Sequence, residues 1–294
     1  LQLNGGWELD FFGKHDGGLN AAIGQLHAAE AEADAARVLL ATNVVRAYVK
    51  WALQVDQYAV AERALKQRQE MLKLVQDRVR VGLDNQLEVR QNETGRADSR
   101  TQMSALQQQQ DAARNALAAL LGQPRLPDDI QPPSLARLTT LAVPEQMDAN
   151  WLGRRADIVA ARWRVEAARG EVQVAKSQFY PNINLAAFIG FQSLGLSNLT
   201  KGSSFQWGVG PAIRLPIFEA GRLRANLSGK TADVDAAIET YNATVIDAMR
   251  EAADQSQAVH AVDRQRAEQA LALRAAEGAY DIAQRRYKGG LGTY

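Results

Sequence analysis

The sequence predicts a mainly α-helical protein with a small β part, built as two copies of one structural plan. Three observations lead to this fold class. Two very long Pro-free stretches are rich in helix-forming residues, one pair of segments alternates as β-strands do, and matching junctions recur at a constant offset along the 294 residues.

Composition and charge narrow the functional classes only in part. The net charge is +1 and the charged residues are interspersed, so no basic surface for nucleic acid is expected. The chain has no Cys, which excludes disulfides and thiolate metal sites. The sequence shows no signal-peptide-like leader at Leu1 and no apolar run of about 20 residues. We therefore expect either a soluble protein or one that meets a membrane through strands of about 10 alternating residues.

The first long helix is predicted from about Gly18 to Val81, because the segment lacks Pro and is rich in Ala, Leu, Gln, Glu and Arg. At about 1.5 Å per residue it would be nearly 100 Å long. Residues at steps of three and four form a coiled-coil-like seam, so partner helices are expected along it. The seam consists of Val44, Tyr48, Trp51, Val55, Tyr58, Glu62, Leu65, Gln69, Leu72, Gln76 and Val79.

A turn at residues 82–85 precedes a second helix, which is predicted from about Gln86 to Leu121 and capped by Gly122. Five Pro residues between positions 123 and 144 indicate an extended connector. A third helix is predicted from about Asp148 to Gln178.

Two alternating segments, 182–192 and 205–215, are predicted to form a hairpin. In the second segment one face is wholly apolar, which fits either a membrane or the core of a soluble sandwich about equally well. The absence of a second sheet to cover that face favours the membrane, whereas Pro211, which lacks a ladder donor, argues mildly against a closed sheet. The face holds Phe205, Trp207, Val209, Pro211, Ile213 and Leu215.

The last helix is predicted from about Glu219 to Lys288 and ends, like the first, in a Gly-rich turn. Gly13 and Gly221 lie 208 residues apart, and so do Gly82 and Gly290, which predicts an internal duplication. The first repeat would span residues 1–147 and the second, with the hairpin at 182–217, residues 148–294. By this offset the chain begins inside a strand whose hairpin partner is absent, and it is expected to be a fragment lacking an N-terminal helix and strand and a C-terminal helix.

Three signatures carry a family resemblance: GRRADIVAARWRVEAA at 153–168, VAKSQFYPNINL at 174–185 and LPIFEAGRLRA at 215–225. Together with the long-helix, Gly-Leu-turn plan they resemble the TolC-type outer-membrane efflux channels over essentially the whole chain. Within that family the sequence is most similar to the NodT-like lipoprotein branch.

The resemblance implies a homotrimer, in which each protomer gives four strands to one twelve-stranded outer-membrane barrel and paired helices to a long periplasmic tube. Gln206, Gly208 and Arg214 would then face the water-filled lumen. The residues expected to face outer-membrane lipid are Phe205, Trp207, Val209, Ile213 and Leu215.

In the family, the helix-hairpin turns form a periplasmic tip where an adaptor protein docks. A Tyr–carboxylate lock between Glu88 and Tyr287 would close this tip, although an exposed Glu and a partly packed Tyr with no such role is the simpler alternative. Gly292 stands where some members have Arg, which would weaken the lock or require a different one. The matching docking positions are Val81, Gly82, Leu83, Asp84, Gly289, Gly290, Leu291 and Gly292, and a bare helix cap would explain the Gly residues equally well.

The resemblance implies a passive exit duct for drugs or aromatic acids, supplied by an inner-membrane transporter through a periplasmic adaptor. The alternatives are a type I secretion duct, a soluble coiled-coil scaffold, and a periplasmic adaptor, which would have one helical hairpin and not two. No enzyme, cofactor or metal site is expected, because His15, His27 and His260 are scattered and no phosphate-binding loop is present.

Overall fold

The fold is given by a computed structural model, which describes residues 1–132, 134–138, 149–192 and 202–291. Strand β1 (Gln2–Leu9) leads into helix α1 (Lys14–Arg80), and helix α2 (Gln86–Leu120) follows. Two short helices come next, a 3-10 turn (Leu135–Arg137) and α3 (Ala149–Leu152), before α4 (Ala156–Ser177). Strand β2 (Asn182–Phe191), a 3-10 turn (Gly202–Ser204), strand β3 (Phe205–Arg214) and helix α5 (Ala220–Lys288) complete the described chain.

The predicted fold class is confirmed, since long helices dominate and a small sheet is the only β part of the described residues. The predicted helix and strand ends agree with the observed ones to within a few residues. The third helix was predicted as one piece, and this was wrong. It is broken after Leu152, because Arg155 takes an extended conformation (φ −65°, ψ 127°) as the N-cap of α4.

The sheet is antiparallel with strand order β1-β2-β3, so β1 and β3 are its edges within the described residues. The hairpin of β2 and β3 is as predicted, and β1 pairs with the other side of β2, with Leu9 beside Ile183. Pro211 lies in β3, where an edge strand tolerates the missing ladder donor.

The chain divides into two compact units, and α1 and α5 contribute to both. The first unit comprises Leu1–Ala35 and Gln146–Asp254, and it contains the whole sheet and α4. Here α1 and α4 cross at small residues, because a Cβ added to Gly24 would lie 2.9 Å from the backbone nitrogen of Ala167. The second unit comprises Ala36–Glu145 and Gln255–Tyr294. Each unit therefore draws on both predicted repeats, and the duplication stays a prediction.

The core of the second unit forms where the predicted seam of α1 meets α2. Trp51 packs with Leu117 and with Leu126, which is only 1% exposed although it belongs to the connector. Tyr48 donates a hydrogen bond of 2.8 Å to the carbonyl oxygen of Gln131. The described first half of the connector is thus packed on the helix pair and is not the simple extended linker that its Pro content predicts. None of the helices in the described residues combines the length and the apolarity that a membrane span requires.

Candidate functional site

The turn after α1 is a Gly-dependent helix stop. Gly82 has φ +77°, a conformation that only Gly adopts without strain. The Gly82 amide donates to the carbonyl of Val79 (3.1 Å), and the Leu83 amide donates to the carbonyl of Arg78 (2.9 Å). This pair of bonds is a Schellman motif, and it ends α1 sharply. Helix α2 then begins at once, because the Asn85 side chain accepts hydrogen bonds from the first-turn amides.

The turn after α5 repeats this geometry 208 residues later. Gly290 has φ +73°, its amide donates to the carbonyl of Tyr287 (3.1 Å), and the Leu291 amide donates to the carbonyl of Arg286 (2.9 Å). Gly289 precedes this turn as the residue after α5, whereas Gly292 lies outside the described residues.

Three apolar side chains of the predicted docking tip project into solvent. Val81 is 68% exposed, Leu83 is 64% exposed and Leu291 is 74% exposed. Exposed apolar residues on two sharp turns suit contact with another protein. Their docking role stays a prediction.

Behind the turns, a cluster of polar side chains joins α1, the first turn and α5. Arg78 donates from Nε to Oδ2 of Asp84 at 2.6 Å, and the Tyr287 hydroxyl donates to the same oxygen at 2.6 Å. Arg78 also donates from Nη1 to the backbone carbonyl of Tyr287 at 3.2 Å, and its guanidinium lies 4.6 Å from the centre of the Tyr287 ring. We call Arg78, Asp84, Glu88 and Tyr287 the tip cluster.

The tip cluster is shielded from water, which strengthens the hydrogen bonds and charge interactions among its side chains. The side chain of Asp84 is 7% exposed and that of Arg78 is 14% exposed, while Tyr287 is 5% exposed and packs with Leu72 and Val75. The hydrogen bond from Arg78 holds the pKa of Asp84 below its ordinary value, with a further contribution from Tyr287. Burial and the hydrogen bond to Asp84 raise the pKa of the Tyr287 hydroxyl, which therefore stays a donor at neutral pH.

Glu88 lies in the first turn of α2, beside Asp84. Burial is the main cause that raises the pKa of Glu88, and the negative charge of Asp84 adds to it. Its Oε2 atom is buried without a hydrogen-bond partner. Glu88 and Tyr287 belong to one cluster, but the carboxylate to which the Tyr287 hydroxyl donates at 2.6 Å is Asp84. A lock between Glu88 and Tyr287 stays a prediction.

Sequence reasoning missed Arg78 as a member of this cluster. The available signal was its match to Arg286 at the offset of 208, next to the Tyr in the second repeat. The pairing itself depends on the turn, which folds Asp84 back over the last turn of α1.

The sheet supplies a second candidate surface, since its register aligns one apolar face across all three strands. Side chains directly opposite each other in a β-ladder point to the same face. Trp207 stands beside Ile189, Val209 beside Ala187 and Ile213 beside Ile183, and on the other side of β2 Trp7 stands beside Leu185. The predicted lipid-facing side chains are all exposed: Phe205 44%, Trp207 68%, Val209 62%, Ile213 68% and Leu215 54%, the last just beyond β3.

No cluster of three or more His, Asp or Glu with the reach of a metal site occurs in the part of the chain that the structure describes. The absence of a cofactor stays a prediction.

Comparison with known proteins gives a consistent result. The family model for the outer membrane efflux protein matches residues 1–123 and 149–294. The fusaric acid resistance protein FusA of Burkholderia cepacia is 38% identical over 231 residues, which are 78% of this chain and 44% of that protein. The multidrug resistance outer membrane protein MdtP of Escherichia coli O157:H7 is 32% identical over 291 residues, 98% of this chain and 59% of that protein.

The fold is similar to that of the outer membrane protein VceC from Vibrio cholerae, with a TM-score of 0.86 and 36% identity over 100% of this chain and 70% of that one. The chain spans about 44% and 59% of the length of FusA and MdtP, the two curated relatives described above.

Proposed function

Since the chain belongs to the outer membrane efflux protein family, we propose that the full-length protein is a passive exit duct of a tripartite efflux system. The protein is located in the outer membrane, and its fold is that of outer-membrane channels and not of enzymes. The proposed duct conducts small molecules and has no catalytic activity of its own.

One observation carries the proposal: an exposed apolar sheet face is joined directly to two very long helices. Strand β1 is followed by the 67-residue α1, and β3 by the 69-residue α5. An apolar face of exposed Trp, Val and Ile suits lipid, and its polar reverse, with Gln206 and Arg214, suits a water-filled lumen. Helices of this length suit passage through the periplasm, ending at the tip turns.

The proposed duct is a homotrimer, because both the sheet edges and the exposed apolar face of α5 need to pack on neighbouring subunits. The edge strands of the described sheet, β1 and β3, present backbone N–H and C=O groups that can pair with strands of neighbouring subunits. Along the second unit's part of α5, apolar side chains are exposed and would pack on other helices of the assembly. They include Val262 (58%), Leu271 (54%), Leu273 (59%) and Ile282 (56%).

The tip turns would dock a periplasmic adaptor, and the tip cluster would hold the tip closed until the adaptor binds. Val81, Leu83 and Leu291 supply exposed apolar contacts. The bonds from Arg78 and Tyr287 to Asp84 tie α5 to the first helical hairpin, and Glu88 lies next to them. These are the contacts that must break if the helices separate.

The proposed cargo is drugs or aromatic acids. The relatives are named for resistance to fusaric acid and to multiple drugs, which supports this class. An inner-membrane transporter, reached through the adaptor, would supply the energy. The first alternative is a type I secretion duct. The second is a soluble coiled-coil scaffold, which would not explain why the sheet has an exposed apolar face.

The test is the behaviour of the full-length protein on extraction and in cells. We expect it to require detergent, to have the mass of a trimer in detergent, and to lower the accumulation of an effluxed dye in cells that lack their own outer-membrane ducts. A monomer that is soluble without detergent would refute the duct and favour the scaffold. Export of a large secreted polypeptide with no effect on the dye would favour the secretion alternative.

A further inference from the structure

A cavity of about 620 Å³ lies in the first unit, where all three strands meet their helices. Glu8 at the end of β1, Asn182 at the start of β2 and Arg214 at the end of β3 line it. In the strand register these three side chains belong to the face opposite Trp207 and Ile213. The cavity therefore opens on the polar side of the sheet.

The acidic groups in this cavity are already satisfied by neighbours. Glu8 accepts from Lys14 Nζ at 2.8 and 3.0 Å and from Asn182 Nδ2 at 2.6 Å. Asp10 caps α1 by accepting from the backbone amides of residues 14, 15 and 16 at 2.7, 2.8 and 3.1 Å. Glu219 is paired with Arg222, which is the main reason that its pKa is lowered.

Two polar groups lack partners, and they stand directly opposite each other in the β2–β3 ladder. The Arg214 guanidinium takes part in no hydrogen bond or ion pair among the described residues, although its charge acts at longer range on Glu219, and the residue is exposed. The Oδ1 atom of Asn182 is buried and has no hydrogen-bond donor within the described chain, because the amide nitrogen is turned towards Glu8. The cavity thus offers one cation without a hydrogen-bonded partner, whereas the Oδ1 atom of Asn182 is too buried for a ligand to reach.

The same cavity has an aromatic wall. The rings of Phe12 and Tyr180 stack with their centres 4.5 Å apart and their planes 8° apart, and both residues line the cavity with Phe11. Phe12 is 41% exposed and Tyr180 is 52% exposed, so the stacked pair still has free surface for a further ring.

We propose that this cavity is a transient subsite for aromatic carboxylic acids. Arg214 pairs with the carboxylate through its planar fork, and the Phe12–Tyr180 pair contacts the ring. The subsite rests on the proposed duct, because only then does the polar sheet face line the path of the cargo. A threefold assembly would present three such subsites around the lumen, each weak enough to release its ligand.

The test uses the full-length trimer in a planar bilayer, with benzoate as the probe and acetate and benzylamine as comparisons. Benzoate should reduce the single-channel current more strongly than acetate does, and benzylamine should have little effect. Arg214→Gln should raise the half-blocking benzoate concentration at least about fivefold, since the charge-assisted pair is lost. Arg214→Lys keeps the charge but lacks the planar fork, so its half-blocking benzoate concentration should lie between those of the unmodified protein and Arg214→Gln.

Arg224→Gln is the matched control, because Arg224 is exposed on α5, outside the cavity lining, and its replacement changes the net charge equally. Its half-blocking concentration should stay within about twofold of the unmodified protein. Equal benzoate block in Arg214→Gln and Arg224→Gln, equal block by acetate, or stronger block by benzylamine would overturn the subsite.

Ligand-observed NMR on the detergent-solubilised trimer separates this inference from the duct itself. Binding of benzoate that Arg214→Gln abolishes and Arg224→Gln retains supports the subsite whether or not current flows. A conducting trimer with no Arg214-dependent benzoate binding would refute the subsite and leave the duct intact.

Discussion

The Tyr287 hydroxyl lies 2.6 Å from Oδ2 of Asp84, although 203 residues separate the two in the sequence. The bond joins the last turn of α5 to the turn between α1 and α2. Arg78 reaches both partners, with Asp84 at 2.6 Å and the Tyr287 carbonyl at 3.2 Å. Opening of the helices at this end would therefore break a connected network and not one isolated contact.

Tyr287→Phe should loosen the tip while leaving the ring packing against Val75 intact. Loss of a hydrogen bond of about 1 kcal/mol corresponds to a roughly fivefold higher open-to-closed ratio for each subunit. Single-channel recording of the full-length trimer measures this ratio. The control is Tyr280→Phe, which removes a hydroxyl from an exposed position on the same helix. An unchanged ratio in Tyr287→Phe would show that this bond does not hold the tip.

The closed tip should be most stable at mildly acidic pH. The pKa of Asp84 lies below its ordinary 3.8, so its stabilising effect is present above that value and is lost as the pH falls through the lowered pKa. The pKa of Glu88 lies above its ordinary 4.5, so its effect is present below that value and is lost as the pH rises through the raised pKa.

Open probability should therefore increase on both sides of this window when it is recorded from pH 3 to 8. Glu88→Gln should remove the increase on the alkaline side and keep the one on the acid side. If the open probability of Glu88→Gln still increases at alkaline pH, a titratable group other than Glu88 causes that increase.

Ala substitution should have opposite effects at two Gly residues. Gly82→Ala forces a side chain to φ +77° and should cost about 1 kcal/mol, although nothing lies within 4 Å of the new methyl group. Gly278→Ala, at an equally open position inside α5, should stabilise by about 0.5–1 kcal/mol. Amide hydrogen exchange at the ends of α1 and α5 reports both changes. Stability changes of the same sign for Gly82→Ala and Gly278→Ala would contradict the turn geometry.

A charge on the apolar sheet face should hinder membrane insertion. Val209→Arg should cost about 2–4 kcal/mol if residue 209 faces the lipid near the middle of the bilayer. Gly210→Arg, on the opposite face with no atom within 4 Å of an added Cβ, is the matched control and should cost much less. The yield of folded trimer in lipid vesicles measures the difference. Equal yields would argue that the apolar face is covered by protein.

The strands and long helices could be predicted from the sequence because their signals are local. Complete alternation from Phe205 onwards predicts β3, and the turn glycines Gly82 and Gly290 mark where α1 and α5 end. Their positive φ angles follow from the Gly-Leu pattern itself, since few other residues adopt that conformation.

The partner of Tyr287 could not be predicted in this way. Asp84 and Glu88 lie four residues apart, and only the folded turn decides which of the two carboxylates accepts the hydrogen bond from the Tyr287 hydroxyl. The break before α4 was missed for a similar reason. Arg155 leaves the helical conformation where it forms ion pairs with Asp157 and with the distant Glu251, at 2.7 and 3.0 Å. Long-range contacts of this kind leave no periodic trace in a sequence.

The conductance of the purified full-length trimer in a planar bilayer tests the central claim most directly. We predict small, long-lived ion-conducting steps that enlarge or open more often when Tyr287 or Glu88 is replaced, because the duct is continuous and closed at its tip. A properly trimeric, membrane-inserted protein that carries no current, with Tyr287 and Glu88 variants that are equally silent, would contradict a duct gated at this end.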